Sequence, residues 1–394
     1  MRERETVIVS AVRTPISDFD GTLKDVSCLE LGRIVIEEAI RRAGIKKEDV
    51  EYVIMGNVLP AGLGQNPARQ AMIRAGLPLS VGALTVNKVC GSGLMAVMVA
   101  DYFIKGGECD IIVAGGMENM YQAPYYLPRG GFRLWDATLI DGMVRDGLWD
   151  LTYNAHMGYL TENVAERFGI SRREQDEYAL LSYTRAKSAI FEGRFKEEII
   201  PVPVPQKKGP PIMFEVDETA LRETSLEALS KLPPVFKENG TITAGNASKL
   251  SAAASALVVM SRKKAEELGI KPLARIVAHC AAGYDLDMPT AAPIVGIPKV
   301  LKKAGMTKED IDLFEINEAF AASTLAILKT LELDVNKVNV NGGAIALGHP
   351  IGCSGARVLT TLIYALKQRG LKRGLASVCL GGAECVNMII ELEE

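Results

Sequence analysis

"RRAGIKKEDVEYVI" (residues 41–54) and "KKAGMTKEDIDLFE" (residues 302–315) are two versions of one stretch: Ala-Gly and Lys-Glu-Asp coincide, and most other positions carry kindred residues. Two further pairs follow in the same order, "CGSG" (90–93) against "GCSG" (352–355) and "IIVAGGME" (111–118) against "SVCLGGAE" (377–384). Three matches in one order predict a duplicated unit. Each copy reads as a helix ending at Ala-Gly, an apolar strand, a small-residue turn, a second helix, and an apolar strand ending in Gly-Gly. Strands that alternate with helices make α/β units. The runs DIIVAGG and LASVCLGG are continuously apolar, as strands buried on both faces are. Two similar halves packed together are the expected assembly. Residues 121–245 differ in character: rich in Tyr, Pro and Gly at first, then charged and helical from Ser171, then PVPVPQKKGPP at 201–211. This insertion reads as a lid-like or ligand-binding element.

Composition narrows the class. The 394 residues are 48% apolar and 24% charged, which suits a globular chain long enough for two or three domains. No apolar run reaches the roughly 18 residues of a membrane span, the longest candidate lying near Ser251 to Met260. The start, MRERETVIVS, resembles neither a signal peptide nor a transit peptide, so the expected location is the cytoplasm. The net charge of −3 without long basic runs argues against a nucleic-acid surface. Seven cysteines without CxxC spacing suggest neither a disulfide framework nor a structural zinc site, so any special cysteine is a free thiol.

Four positions could carry chemistry. Cys90 stands in a small-residue turn at a predicted helix start, where amides and the helix dipole can lower a thiol pKa and stabilise an oxyanion. A small buried hydrophobe is the other reading of a lone cysteine. His349 lies in "NVNGGAIALGHPIGCSGAR" (339–357), whose glycines suit backbone packed close to a ligand, although a turn histidine bonded to its own loop would look alike. Cys379 precedes Gly381-Gly382 and has Val113 as its repeat counterpart, a divergence that an asymmetric site or neutral drift would both produce. Asn317 follows an apolar strand in "FEINEAFAAS" (314–323), where an N-cap is the plain alternative.

Taken together, "CGSG" at Cys90, "NEAF" at Asn317, "GHPIGCSGAR" at His349 and "CLGG" at Cys379 resemble, in order and spacing, the four catalytic loops of the thiolase family. Similarity extends to "HMGYLTENVAERFGISRREQDEYA" (156–179), "GRFKEEIIPV" (193–202) and "TITAGNAS" (241–248). The resemblance implies an α/β fold of duplicated units, layered α/β/α/β/α, with an inserted loop domain. The corresponding division is 1–120 plus 246–270 for the N-terminal half, 121–245 for a loop domain that binds coenzyme A and makes oligomer contacts, and 271–394 for the C-terminal half.

The family's reaction is a two-step Claisen exchange of acyl groups between coenzyme A thioesters. By resemblance, Cys90 attacks a thioester and holds the acyl group, and His349 takes its proton. Cys379 then exchanges a proton with C2 of the second acetyl-CoA. One oxyanion hole uses the backbone N–H groups of Cys90 and Gly381; the other uses His349 and a water held by Asn317. Positions matching the family's coenzyme A contacts are Ser248, Met157, His156, Leu148, Ala319 and Phe320, with Arg222 as a candidate for the nucleotide phosphates; core packing is the plain reading of Met157 and Phe320. The expected activity is acetyl-CoA C-acetyltransferase, with 3-ketoacyl-CoA thiolase as the alternative and a non-catalytic acyl-CoA-binding or scaffolding protein as the reading from another class. No metal and no tightly bound cofactor are expected, coenzyme A being substrate and product, and the oligomer is expected to be a homodimer or homotetramer.

Three stretches depart from the family pattern. "KLSAAAS" (249–255) stands where thiolases carry Gly and then Asn-Asp-Gly-Ala-Ala; there Lys249 is expected to point to solvent or to meet a phosphate or carboxylate. "MPTAAP" (288–293) replaces a Gly-rich loop. Ala383 and Cys385 replace glycines of "CxGGGxG", and their added atoms are expected to narrow the pocket or reshape the loop.

Overall fold

Both copies of the repeated stretch form the same succession of elements. In the computed structural model, which describes residues 4–129 and 136–393, the first copy contains β1 (Thr6–Arg13), α1 (Cys28–Ala43), β2 (Tyr52–Gly56), β3 (Gly82–Val86), α2 (Ser92–Gly106) and β4 (Ile111–Asn119). After an insertion that carries α3 (Met157–Arg167) and α4 (Arg172–Phe191), β5 (Ser251–Ser261) follows. The second copy contains β6 (Ala274–Gly283), α5 (Pro293–Ala304), β7 (Leu313–Ile316), α6 (Ala321–Leu331), α7 (Ile351–Arg369), β8 (Arg373–Leu380) and β9 (Glu384–Leu392). Local chemistry marks the ends: α1, α2, α5 and α7 all stop at a glycine in the left-handed region (Gly44, Gly107, Gly305, Gly370), which lets the next amide reach back to the last turn.

The strand order β7-β8-β9-β6-β1-β5-β4-β2-β3 reads the same outward from its β6–β1 centre until β3 extends one end. Pairing directions repeat as well: β2 with β4 and β7 with β8 are parallel, while β4 with β5 and β8 with β9 are antiparallel. Even the irregularities are duplicated, with register shifts between Ile8 and Ser10 in β1 and between Ile276 and Ala278 in β6. The two halves are joined edge to edge by only two register pairs, Val7↔Arg275 and Ile8↔Ala274.

Helices α2 and α7 form the middle layer. Every residue from Ile351 to Leu366 is buried, as expected of a helix covered on all sides. The two helices meet at their backbones: a Cβ on Gly355 would lie 2.3 Å from the Leu94 nitrogen, and one on Gly93 would lie 2.7 Å from the Ala356 nitrogen. Their side chains join the inward faces of both halves in one cluster, including Leu94, Val97, Leu359, Leu362 and Val378. Helix α1 covers the outer face of the first half, and α5 and α6 cover that of the second, giving the α/β/α/β/α order. The segment Val89–Gly106 is apolar enough over 18 residues to cross a membrane by composition, which the run-length reading passed over. Its Asp101 is paired with the buried His279 at 2.7 Å, so this is a core helix.

The duplicated packing brings the small-residue turns before α2 and α7 side by side with the ends of β7 and β8.

Candidate active site

Cys90 lies just before α2, at the end of a turn in which Val89 adopts φ +47°. A β-branched residue there is strained, by about 1–3 kcal/mol, and the surroundings hold it. The Val89 amide donates to Asn87 Oδ1 at 3.0 Å, and the Ser92 hydroxyl donates to the Val89 carbonyl at 2.6 Å while accepting from the Lys88 amide at 2.8 Å. Lys88 is also ion-paired with Glu384, tying this turn to the β8–β9 hairpin. Cys90 is half-buried beside Ile351, Leu148 and Met143. Burial pushes its thiol up to about 12, against a backbone hydrogen bond from Gly381. A base is therefore needed to ionise it.

His349 is the buried imidazole of the site, 6% exposed. The Ser354 hydroxyl donates to the Pro350 carbonyl at 3.0 Å, so at 2.6 Å from His349 Nδ1 it serves as the acceptor. The network thus assigns the proton to Nδ1 and leaves Nε2 with its lone pair. Asn317 Nδ2 faces that lone pair at 3.5 Å, and Asn317 Oδ1 is a buried acceptor without a protein partner. Burial, reinforced by Arg357, holds His349 down near 3, so the ring is neutral at pH 7.

Cys379, at the end of β8, packs among Met157, Leu160, Ala247, Ala319 and Phe320 and is 2% exposed. Burial raises its thiol, and the neighbouring Cys90 and Cys385 raise it further. Gly381 in the following turn lies against Val89 and Met157: a Cβ there would stand 3.4 Å from Val89 Cγ1 and 3.8 Å from the Met157 sulfur. Thus Cys90, Gly381 and Cys379 form one group and Asn317 and His349 another, and Ile351, two residues after His349, belongs to the cluster that packs with Cys90.

The expected coenzyme A positions divide. Met157, Ala319 and Phe320 line the Cys379 cluster, Ser248 donates its amide to the Ala319 carbonyl at 3.0 Å, and Leu148 packs with Cys90. His156 stacks on Phe236 at 4.6 Å, accepts the Gly158 amide at Nδ1, and is held near 4 by burial. Arg222 stands apart from both thiol groups, ion-paired with Asp18 and more than half exposed.

Two expectations for the altered loops need correction. Lys249 does not point to solvent: its ammonium donates to the Ala244 and Ala247 carbonyls at 2.6 and 2.8 Å and lies over the Tyr183 ring, while burial and then Arg222 lower it to about 7. The chain thus caps two carbonyls of the turn with its own cation. Cys385 does not narrow the pocket; its sulfur turns to the Ala292 carbonyl at 3.3 Å and fills the space over Gly296. Ala383 does reshape the turn, sitting at φ +56° with its carbonyl accepting the Tyr284 amide at 2.7 Å. "MPTAAP" forms a tight turn whose Thr290 hydroxyl meets that of Thr161 at 3.1 Å.

Sequence reasoning missed the residues that hold the loops. Glu118 is fully enclosed and accepts from the Val58, Leu59 and Gly352 amides and from Asn57 Nδ2, fixing the α7 start against the first half; burial pushes it up to about 7 despite those amides. Glu318 accepts from Tyr178, Ser182, Asn339 and the Ile345 amide, locking the Asn317 turn to the His349 loop. Ser354 and Ser92 are equivalent in the repeat, and that equivalence was the available signal: each donates its hydroxyl to its own turn's carbonyl.

Two paired half-folds with a thiol at the start of one central helix and a buried imidazole at the start of the other define an α/β enzyme of duplicated design. The chain belongs to the thiolase family: the thiolase N-terminal domain matches residues 6–263 and the thiolase C-terminal domain matches residues 270–392. An acetyl-CoA acetyltransferase of Cupriavidus necator is 51% identical over 98% of this chain and 99% of its own. One from Escherichia coli is 50% identical, again over 98% and 99%. The crystal structure of the Bacillus anthracis acetyl-CoA acetyltransferase superposes with a TM-score of 0.97 at 42% identity, covering 99% of both chains.

Proposed function

We propose that this thiolase is an acetyl-CoA C-acetyltransferase, joining two acetyl-CoA molecules into acetoacetyl-CoA and free coenzyme A, and reversing that step by thiolysis. The observation that carries the mechanism is the packing of the Gly381 turn against the Cys90 turn, where a Cβ on Gly381 would stand 3.4 Å from Val89 Cγ1, with the buried Cys379 thiol close enough to Cys90 to be raised by it. In the first step Cys90 sulfur bonds to the thioester carbonyl as its proton passes to His349 Nε2. The tetrahedral oxyanion accepts from the Cys90 and Gly381 amides; coenzyme A then leaves with the proton of the Cys379 thiol, so that Cys379 becomes a thiolate and His349 keeps its Nε2–H. Each such donor is worth about 10²–10³ in rate.

In the second step the Cys379 thiolate takes a proton from C2 of the next acetyl-CoA, the carbanion attacks the acetyl group on Cys90, and the thioester C–S bond breaks as the Cys90 sulfur recovers its proton from His349 Nε2. His349 Nε2–H and a water on Asn317 Oδ1 meet the developing enolate oxygen. The orphaned Asn317 oxygen supports this reading, because a buried amide acceptor without a protein partner suits a water donor. Ser248, Met157, His156, Leu148, Ala319 and Phe320 would line the pantetheine path, with Arg222 at its outer end. The three-part division at 121–245 fits this reading, with the insertion contributing Leu148, His156 and Met157.

The names of the relatives support the acetyl preference. In this reading the protein acts in the cytoplasm as a homodimer or homotetramer; its seven free cysteines suit a reducing compartment. Turnover of 3-ketoacyl-CoAs of increasing chain length tests the substrate: a steep fall beyond acetoacetyl-CoA is expected, and equal or faster turnover of longer chains would make it a 3-ketoacyl-CoA thiolase.

A further inference from the structure

Outside the reaction sequence one thiol faces the proposed base. Cys379 in β8 and Cys385 in β9 are direct partners in the antiparallel register, on either side of the turn formed by Gly381, Gly382 and Ala383. Directly opposed residues project from the same face with Cβ atoms about 4.5–5.5 Å apart. A disulfide needs Cα atoms about 4.4–6.8 Å apart and Cβ atoms near 4 Å. The register therefore meets the first requirement, and the second asks for a small approach of two strands beside a glycine turn. Both thiols are reduced and buried, and the Cys385 sulfur is held by weak contacts, to the Ala292 carbonyl at 3.3 Å, Asn387 Nδ2 at 3.3 Å and the Ala282 carbonyl at 3.7 Å. Bonding to Cys379 requires that the Cys385 sulfur give up these contacts by rotating about its Cα–Cβ bond.

We propose that Cys385 is the resolving thiol of an oxidative lock, forming a reversible disulfide with Cys379 when a peroxide reaches the site. The inference rests on the base role given to Cys379 above. A base that has lost its proton is a thiolate, and once Cys90 carries an acyl group as a thioester it cannot pair with that thiolate. Cys379 sulfur then attacks one peroxide oxygen; the O–O bond breaks, leaving a sulfenic acid on Cys379 and hydroxide, which takes a proton and departs as water. Cys385 sulfur displaces the sulfenic oxygen, the S–S bond forms, and the Cys385 proton leaves with that oxygen as a second water. Two thiols are oxidised and one peroxide is reduced. The lock spares Cys379 from irreversible over-oxidation.

The test compares the wild-type protein with Cys385→Ser, each incubated with acetyl-CoA, exposed to hydrogen peroxide, alkylated and mapped by peptide mass. The expected wild-type product is a Cys379–Cys385 linked peptide, with turnover reduced about 10²-fold or more by loss of the base and restored by dithiothreitol. In Cys385→Ser the link is absent, Cys379 advances to sulfinic acid, and dithiothreitol restores nothing. A wild-type Cys379 that stays reduced, links to Cys90, or over-oxidises as fast as in the variant overturns the proposal. A Cys379–Cys385 link with full turnover supports the lock and instead removes Cys379 from the proposed mechanism.

Discussion

Asn317 Nδ2 stands 3.5 Å from His349 Nε2, on the side of the ring opposite the 2.6 Å contact between His349 Nδ1 and Ser354 Oγ. The imidazole is thereby fixed in one tautomer between a hydroxyl and an amide, with its basic nitrogen turned toward Asn317. Ser354→Ala should let the ring change tautomer and tilt. Steady-state kinetics should find kcat lowered roughly tenfold, the effect of one hydrogen bond of about 1.4 kcal/mol, with KM nearly unchanged. An unaltered kcat would mean that the tautomer is set elsewhere.

Asn317→Ala removes the buried acceptor without a protein partner. The expected loss in condensation rate is about 10²–10³, whereas acylation of Cys90 measured by single-turnover release of coenzyme A should persist. Equal loss in both half-reactions would remove Asn317 from the second oxyanion hole.

Acid should destabilise the fold through its histidines. His349 is held near 3 and His156 near 4, both below the ordinary 6.5. The unfolded chain therefore binds more protons than the folded one between these values, so stability is full above pH 6.5 and is lost as pH falls through that window. A shift of this size is worth about 3–5 kcal/mol per group. Because the raised Glu118 acts with the opposite sign over the same range, the test is the difference between variants. Urea unfolding at pH 5 and pH 7.5 should find that His349→Asn loses less stability on acidification than the wild type, and a slope unchanged by that substitution would contradict the assignment.

Lys249→Ala strips the cap from the Ala244 and Ala247 carbonyls. The expected cost is about 1–3 kcal/mol, read as a lower urea midpoint, with Cys90 acylation retained. A KM increase without any stability change would instead place Lys249 on the ligand.

Much of this architecture was legible in residues 41–54 and 302–315, because a repeat constrains two halves at once and continuous apolar runs mark strands covered on both faces. The proposed catalytic positions were legible only as a set: Cys90 and His349 each had a plain structural reading, and it was the resemblance of all four stretches to thiolase loops that spoke against it. What stayed hidden depends on long-range contact. Glu118 looks like any strand-end carboxylate until Gly352, far along the chain, donates to it. Lys249 looked solvent-bound because nothing local reveals that two carbonyls five and two residues earlier turn back toward its ammonium. Cys385 gave no sign of its direction, which is decided by the missing side chain of Gly296 on a neighbouring helix.

The central claim is that Cys90 carries the acyl group. The most direct measurement is the mass of the Cys90 peptide after the purified protein is mixed with acetyl-CoA, with release of free coenzyme A followed in parallel. The account predicts one acetyl group on Cys90 and coenzyme A release, both abolished in Cys90→Ala, whose acyl transfer should fall by on the order of 10⁴ or more. Coenzyme A release with an unmodified Cys90 peptide, or turnover retained in Cys90→Ala, would contradict it.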